Sequence, residues 1–472
     1  MTEGFELAVH HWPHLARGAT ELHAVLRITG GGSVGAAAGS VESAVVFAID
    51  CSGSMCDRDG DQPTAPTRIA AARAATAAGI DALPDGSWFA VVAGTHRADV
   101  VFPGAPELVR ADPGTRAAAK SAVRHLTASG GTAMSTWLRA ADALLSGRPG
   151  AVRHAVLLTD GKNQTERAGE LARALADVRG RFVCDARGIG TDWDPQDVRA
   201  IAEATHGTAD SVRAAADLTE DFAAILRTAL GRTVPDLRLR VRTAGFATVG
   251  LLRQVHPATA DLVGVPAAGG SGVEYPTGAW GAESREYHLR LDLDPTGYDV
   301  EEQLLAASLD LVPPAPGATA RPVLMCWTDD VQRSSHVDPG VSHYTGQADL
   351  SAAMIAGYDA HDRGDHEAAR REWGQALALA TGLGNTGAVR LLERLVEVVD
   401  GEVRLRPDIA AADVLRLGVR STHSVRAPRV RPERSEPPAA TGPPRACHGC
   451  ADPLAPADRF CAGCGTEAAE RA

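Results

Sequence analysis

The sequence predicts an α/β protein centred on a doubly wound parallel sheet, and three observations predict it. Between residues 41 and 230, apolar runs of strand length alternate with runs of helix length. Two of the strand-length runs, Val45-Val46-Phe47-Ala48-Ile49 and Ala155-Val156-Leu157-Leu158, are apolar without interruption, as strands covered on both faces must be. Polar groups cluster directly after both runs, at the carboxyl ends of the strands, where open α/β sheets keep their ligand sites.

In chain order, Leu22-His23-Ala24-Val25-Leu26-Arg27-Ile28 alternates apolar and polar positions and reads as strand, with a glycine-rich turn over 30–39 after it. The Val45–Ile49 strand follows. Arg68 to Leu83 is Ala-rich and helical, and Trp88 to Ala93 is a strand. Thr115 to Thr127 and Met134 to Leu145 are helices, and Ala155–Leu158 is the second buried strand. Then come helix (Glu166 to Val178), strand (Phe182 to Ile189), helix (Pro195 to Ala204) and a last helix (Leu218 to Leu230). Strands alternating with helices of this length imply βαβ crossovers and a parallel sheet with helices on both faces.

Past 231 the period changes to two. Leu237-Arg238-Leu239-Arg240-Val241-Arg242 and Tyr287-His288-Leu289-Arg290-Leu291-Asp292-Leu293 alternate strictly, with Gly/Pro turns between them. Residues 232–345 therefore read as antiparallel β, a sandwich that the strands within 1–40 join, with the α/β domain at 41–231 inserted between. Residues 346–425 read as helical. There Gly364-Asp365-His366-Glu367-Ala368-Ala369, with Trp373 and Ala376, resembles one tetratricopeptide (TPR) unit, which implies a helical hairpin packed on the body. Residues 426–446 hold Arg426, Arg429, Arg431, Arg434 and Arg445 among six prolines and read as a stiff, solvated linker. Residues 447–472 form a last small unit.

Composition narrows the function. A chain of 472 residues with 44% hydrophobic and 22% charged residues has enough apolar surface for several cores. Aromatics are only 4%, so Ala, Val and Leu fill those cores. The formal net charge of -12 repels phosphates, which speaks against nucleic-acid and anionic-membrane binding. No apolar run is long enough to span a bilayer. Met1 to Pro13 carries Glu3 and Glu6 and lacks an apolar signal region. A cytoplasmic location is expected, with reduced thiols at Cys51, Cys56, Cys184 and Cys326.

Three loops carry the chemistry. Asp50-Cys51-Ser52-Gly53-Ser54 leaves the first buried strand, and Gly53 lets Ser52 and Ser54 turn their hydroxyls to one side. Gly130-Gly131-Thr132 is a flexible loop between two helices that ends in a hydroxyl. Thr159-Asp160-Gly161 leaves the second buried strand. Hard oxygen donors of this kind suit Mg²⁺, Mn²⁺ or Ca²⁺.

In these residues and in the strand–helix order around them, over about 190 residues, the chain resembles the von Willebrand A (integrin I-like) family, whose doubly wound domain is Rossmann-like. The family's metal-ion-dependent adhesion site combines a DxSxS loop, a distant Thr and a distant Asp. Asp50, Ser52 and Ser54 match the first, Thr132 the second and Asp160 the third. The resemblance implies that Ser52, Ser54 and Thr132 bind one metal directly, while Asp50 and Asp160 bind it directly or through water. It also implies one open position for a partner's acidic side chain. Bacterial proteins that look like this one, including the tellurite-resistance TerY-like group, work with kinases, phosphatases or MoxR-type ATPases.

Near the end, Cys447-His448-Gly449-Cys450 and Cys461-Ala462-Gly463-Cys464 set two CxxC pairs ten residues apart. Paired CxxC units make closed tetrahedral Zn²⁺ sites, and the segment resembles a short bacterial zinc ribbon held by Cys447, Cys450, Cys461 and Cys464.

The sequence thus points to a non-enzymatic, metal-dependent protein-binding module that takes an Asp or Glu of its partner. The alternative is a metal-dependent phosphotransferase or hydrolase using Asp50 as nucleophile. Against it, no P-loop, GxSxG elbow or HExxH is present. His96, His125, His154 and His206 are single histidines without evident partners in the sequence.

Overall fold

A computed structural model of the chain describes residues 4–31, 41–58, 65–267, 270, 272–313, 320–336, 338–399, 401–427, 445–447 and 453–454. Its central sheet runs in the order Ala209–Val212, Val183–Asp192, Val152–Gly161, Ser43–Asp50, Trp88–Gly94, Ala98–Phe102, with Val109–Arg110 also paired to Trp88–Gly94. The first five strands are parallel. The last two pair antiparallel, so the sheet is mixed, correcting the expectation of a purely parallel one. The reason is the link from Gly94 to Ala98. It is far too short for a crossover helix and permits only a hairpin.

Both faces of this sheet are covered. Val46, Ala48 and Leu157 face Trp137 and Leu138 of α3 (Met134–Ser146). Val45, Phe47, Ile49 and Leu158 face the opposite way, toward α1 (Arg68–Ala82) and α6 (Leu218–Leu230). Alternate residues of one strand thus enter two different cores, which is why the run lacks polar positions. The remaining helices of this layer are α2 (Pro113–Arg124), α4 (Glu170–Val178) and α5 (Pro195–Thr205). Helix α4 starts four residues later than the sequence suggested, because Asn163 and Glu166 serve another element, described below.

The β region contains two sheets. One is antiparallel, in the order Phe5–His11, Glu21–Gly30, Ser284–Leu293, Ala247–His256, Ala260–Asp261. The other runs Val265–Pro266, Val273–Pro276, Arg238–Thr243, Leu304–Val312, Arg321–Thr328, His14–Ala16, and its last pair is parallel. Leu26, Tyr287 and Leu289 of the first share one apolar cluster with Leu239, Leu309 and Trp327 of the second. The chain leaves this unit after Gly30 and re-enters it at Arg238, with the α/β layers formed in between.

Beyond it lie α7 (Val331–Ser334), α8 (Pro339–Asp362), α9 (His366–Gly382), α10 (Thr386–Leu392) and α11 (Ala411–Arg420). Trp373 of α9 is fully buried against α8 at Gly357, where a Cβ would come within 2.2 Å of its ring. The reading of 346–425 as helical throughout needs one correction. Val396–Val399 and Glu402–Leu405 form an antiparallel hairpin turned by Gly401 at φ 81°. Alternating, valine-rich strands with a left-handed glycine between them favour that hairpin over helix. Helix α11 docks back on α5, where Arg199 Nη1 donates to the Gly418 carbonyl at 2.8 Å. Among the described residues no helix is long and apolar enough to cross a membrane.

Candidate metal centre

The loops that follow Ser43–Asp50 and end Val152–Gly161 meet at the carboxyl edge of the sheet, beside the loop that leads into α3. Asp50 is fully buried at the end of its strand. Its Oδ1 accepts the Ser52 backbone N–H at 2.7 Å, which closes the turn and swings Ser52 and Ser54 round. Its Oδ2 accepts the Thr159 hydroxyl at 2.7 Å and the Asp160 N–H at 3.4 Å. Burial pushes the Asp50 carboxyl up to about 6, against the pull of the Ser52 and Thr159 hydrogen bonds.

Backbone hydrogen bonds lace the second loop to the first. Gly53 N donates to Gly130 O at 3.0 Å and Ser129 N to Cys51 O at 2.7 Å. Gly130 turns there at φ 85°. The first residues of α3 lack a side-chain cap of their own, since Ala133 stands at the cap position. Asn163 accepts from Met134 N at 3.1 Å and Glu166 from Ser135 N at 3.2 Å, so the loop after Asp160 caps α3 and holds Thr132 in place. Trp137, one turn further on, lies flat against Gly94 and donates to the Thr95 carbonyl at 2.8 Å.

The side chains converge. Ser54 Oγ donates to Asp160 Oδ1 at 2.7 Å, Ser52 Oγ lies 3.5 Å from the same oxygen, and the two serine oxygens are 3.1 Å apart. A Cβ placed on Gly161 would meet Thr132 Oγ1 at 3.1 Å, Ser54 Oγ at 3.5 Å and Ser52 Oγ at 3.8 Å. Three hydroxyls from two loops therefore lie within 3.8 Å of one point beside Gly161. Asp160 joins this cluster through Ser54 Oγ and Asp50 through the Ser52 N–H, so all five residues singled out from the sequence, Asp50, Ser52, Ser54, Thr132 and Asp160, come together.

This donor set fits a small hard cation. Two buried carboxylates supply negative charge, and three hydroxyls supply neutral oxygens. Among the described residues no group of three or more His, Cys, Asp or Glu could hold a metal, so a softer nitrogen or sulfur site has no counterpart there.

Three participants escape a reading of the sequence alone. Thr159 holds Asp50, Gly161 keeps the cradle open, and Arg68 is the third. Arg68 begins α1, is 6% exposed, and donates from Nη1 to Asp160 Oδ2 at 3.0 Å. A basic residue at a helix N-terminus opposes the helix dipole, and that misplacement was the available signal. Burial raises the Asp160 carboxyl, with Ser54 and Arg68 opposing the rise.

The side chains of the other candidates do not join this cluster of oxygens. Cys51 is buried and its thiol is pushed up to about 12 by burial, which suits packing rather than reactivity. His154 is buried with its Nε2 3.1 Å from Asp185, toward the opposite end of the strand that carries Asp160. Cys447 is buried beside a two-residue strand pair, Arg445–Ala446 with Pro453–Leu454. Cys450, Cys461 and Cys464, and most of the 426–446 segment, lie outside the described residues.

The chain is similar to known proteins over the region that carries these loops. A family model for the von Willebrand factor type A domain matches residues 43–211, and one for the von Willebrand factor type A C-terminal domain matches 376–421. The solved structure of a von Willebrand factor type A protein from Catenulispora acidiphila is 39% identical, with TM-score 0.82, covering 90% of this chain and 98% of that one. The ArnB paralog VWA2 from Sulfolobus acidocaldarius shares the fold at 10% identity and TM-score 0.52, covering 89% and 98%. No curated protein matches. With near-complete coverage of a relative at that identity, the chain belongs to the von Willebrand factor type A family.

Proposed function

We propose that this protein is a metal-dependent protein-binding module. In it, Asp50, Ser52, Ser54, Thr132 and Asp160 hold one Mg²⁺ or Mn²⁺ ion, and a partner's Asp or Glu completes the shell. The observation that carries this reading is the convergence of three hydroxyls on the point above Gly161, with the Asp160 carboxylate at its rim. A bound divalent ion supplies positive charge and a free coordination position. The protein's own groups set the rest. Ser52, Ser54 and Thr132 contribute oxygen without charge, so the ion's field is only partly neutralised and a carboxylate from outside gains a strong charge-assisted contact. Asp50, both of whose oxygens already accept hydrogen bonds, orients the Ser52 turn and adds charge from behind.

The same feature argues against the enzymatic alternative. A nucleophilic Asp50 needs an oxygen facing substrate, and here both oxygens are engaged by Ser52, Thr159 and Asp160 in a fully buried position.

The wider reading is a cytoplasmic scaffold of the TerY-like type in a bacterial signalling or stress-response complex, whose partner is a kinase, phosphatase or MoxR-type ATPase. In this reading the two-sheet unit is a β-sandwich and the α8–α9 pair a TPR-like hairpin. Cys447, Cys450, Cys461 and Cys464 form a zinc ribbon that the metal folds.

The test is capture of partners from the native host on immobilised wild-type chain, with Mg²⁺ and with chelator. Partners retained only with Mg²⁺, and lost with Thr132→Ala, support the proposal. The same partners bound under all three conditions overturn it. Elemental analysis giving about one zinc per chain, lost on Cys461→Ser, tests the ribbon separately.

A further inference from the structure

The site carries a cation of its own. Arg68 divides the Asp160 carboxylate with the serines: Oδ2 accepts Arg68 Nη1 at 3.0 Å while Oδ1 accepts Ser54 Oγ at 2.7 Å. Both side chains are buried. A second carboxylate, Asp192, stands 3.6 Å from the same nitrogen but is 64% exposed, so solvent screens it.

Two further features hold Arg68 in this place, and a third shows that the helix itself does not favour it. Its backbone N donates to Asp57 O at 2.9 Å, tying the start of α1 to the chain just after Ser54. Gly190, at φ 74°, lies against the guanidinium, and a Cβ there would come within 2.4 Å of Cζ. The first turn of α1 contains no acidic residue, so the helix terminus adds its own positive potential to that of Arg68. An arginine in this position is unfavourable for the helix and makes sense as a partner for Asp160.

Resting on the metal-binding reading above, we propose that Arg68 sets the charge of the site and thereby tunes it for a carboxylate-bearing partner. Asp50, Asp160 and Arg68 together sum to one net negative charge, with the exposed Asp192 screened outside them. A divalent ion therefore meets a weaker hold than two free carboxylates would give, and the loaded site keeps one net positive charge. That surplus is what an Asp or Glu side chain from outside neutralises. Without the ion, Arg68 keeps Asp160 compensated, so the loops stay assembled and ready. Metal occupancy then responds to ion concentration, and partner binding and metal binding reinforce each other.

Arg68 acts here through Asp160 as a positioning residue, and metal binding alone reads it out. The experiment is calorimetric titration of Mn²⁺ into the full chain, wild type against Arg68→Gln and Arg68→Lys, followed by titration of acetate into each Mn²⁺-loaded protein. Arg68→Gln is expected to bind Mn²⁺ about tenfold tighter and acetate several-fold more weakly than wild type, since a unit charge a few ångströms away acts at this scale. Arg68→Lys, which keeps the charge, is expected to stay within about threefold of wild type, less than half a decade in affinity. Mn²⁺ binding by Arg68→Gln that is equal to or weaker than wild type overturns the proposal, as does tenfold tightening in Arg68→Lys. If Arg68→Gln does not fold without metal, Mn²⁺ is expected to restore its circular dichroism spectrum, and failure to do so also overturns it. Absence of Mn²⁺ binding by the wild type defeats the metal-binding reading itself, and this inference with it.

Discussion

Thr159 donates its hydroxyl hydrogen to Asp50 Oδ2 across 2.7 Å, and both side chains are completely buried. The contact joins the ends of two adjacent parallel strands, so together with the Ser54 Oγ bond to Asp160 it holds the first and third loops of the site in register. Replacing Thr159 by valine keeps the shape and removes the donor. It leaves Asp50 Oδ2 only the Asp160 N–H at 3.4 Å. The expected loss in urea unfolding of the metal-free chain is about 1–3 kcal/mol, the usual penalty for a buried polar group deprived of its partner. A midpoint equal to that of wild type would show that Asp50 does not depend on Thr159.

The pH dependence follows from Asp50. Its carboxyl lies near 6 in the folded chain, above the ordinary range close to 4. A carboxyl raised by folding favours the protonated native state. Its contribution to stability is greatest below the ordinary range and is lost as pH rises through about 6. A divalent ion needs the ionised form and offsets that loss. The rise in melting temperature on adding Mg²⁺ is therefore expected to be clear at about pH 7.5 and to vanish near pH 5, where the proton displaces the ion. An equal rise at both values would contradict the account.

Gly161→Ala tests the cradle with the smallest possible change. Its Cβ would sit 3.1 Å from Thr132 Oγ1, inside the space the three hydroxyls enclose. The metal-free melting temperature is expected to fall by only a few degrees, in the range of about 1 kcal/mol. The Mg²⁺-dependent rise is expected to disappear. A variant that keeps the full rise would place the ion elsewhere.

Trp137 links the core to the site. Its ring covers Gly94 and its indole N–H reaches Thr95, so α3 is pinned directly after the loop that carries Thr132. Trp137→Ala is expected to cost about 3–5 kcal/mol in chemical unfolding, as buried Trp truncations do. At a temperature where the variant is still folded, its Mn²⁺ affinity is expected to be weaker as well. Loss of stability with unchanged affinity would separate α3 packing from the site.

Much of this was legible in the sequence because its causes are local. A run such as Val45–Ile49 has one strand-like solution, and Asp50 follows it directly. The same holds for Leu157, Leu158 and Asp160. What was not legible depends on distance or on chain reversal. The hairpin at 94–98 makes the sheet mixed, yet it is signalled only by a short polar turn between apolar residues. Arg68 meets Asp160 across 92 positions of sequence, and its place at the start of an Ala-rich helix marks an unusual charge without naming the partner. Gly161 looks like an ordinary residue leaving a strand until three hydroxyls from two other loops are seen to face it. The caps of α3, Asn163 and Glu166, come from the loop after a later strand, and no local pattern beside Ala133 signals them.

The most direct test of the central claim is a crystal of the full chain grown with Mn²⁺ and measured for anomalous scattering. The account predicts one strong peak enclosed by Ser52 Oγ, Ser54 Oγ and Thr132 Oγ1, with Asp50 and Asp160 close behind. A crystal with saturating Mn²⁺ and no peak at that position, or with the three hydroxyls turned away from one another, would contradict it.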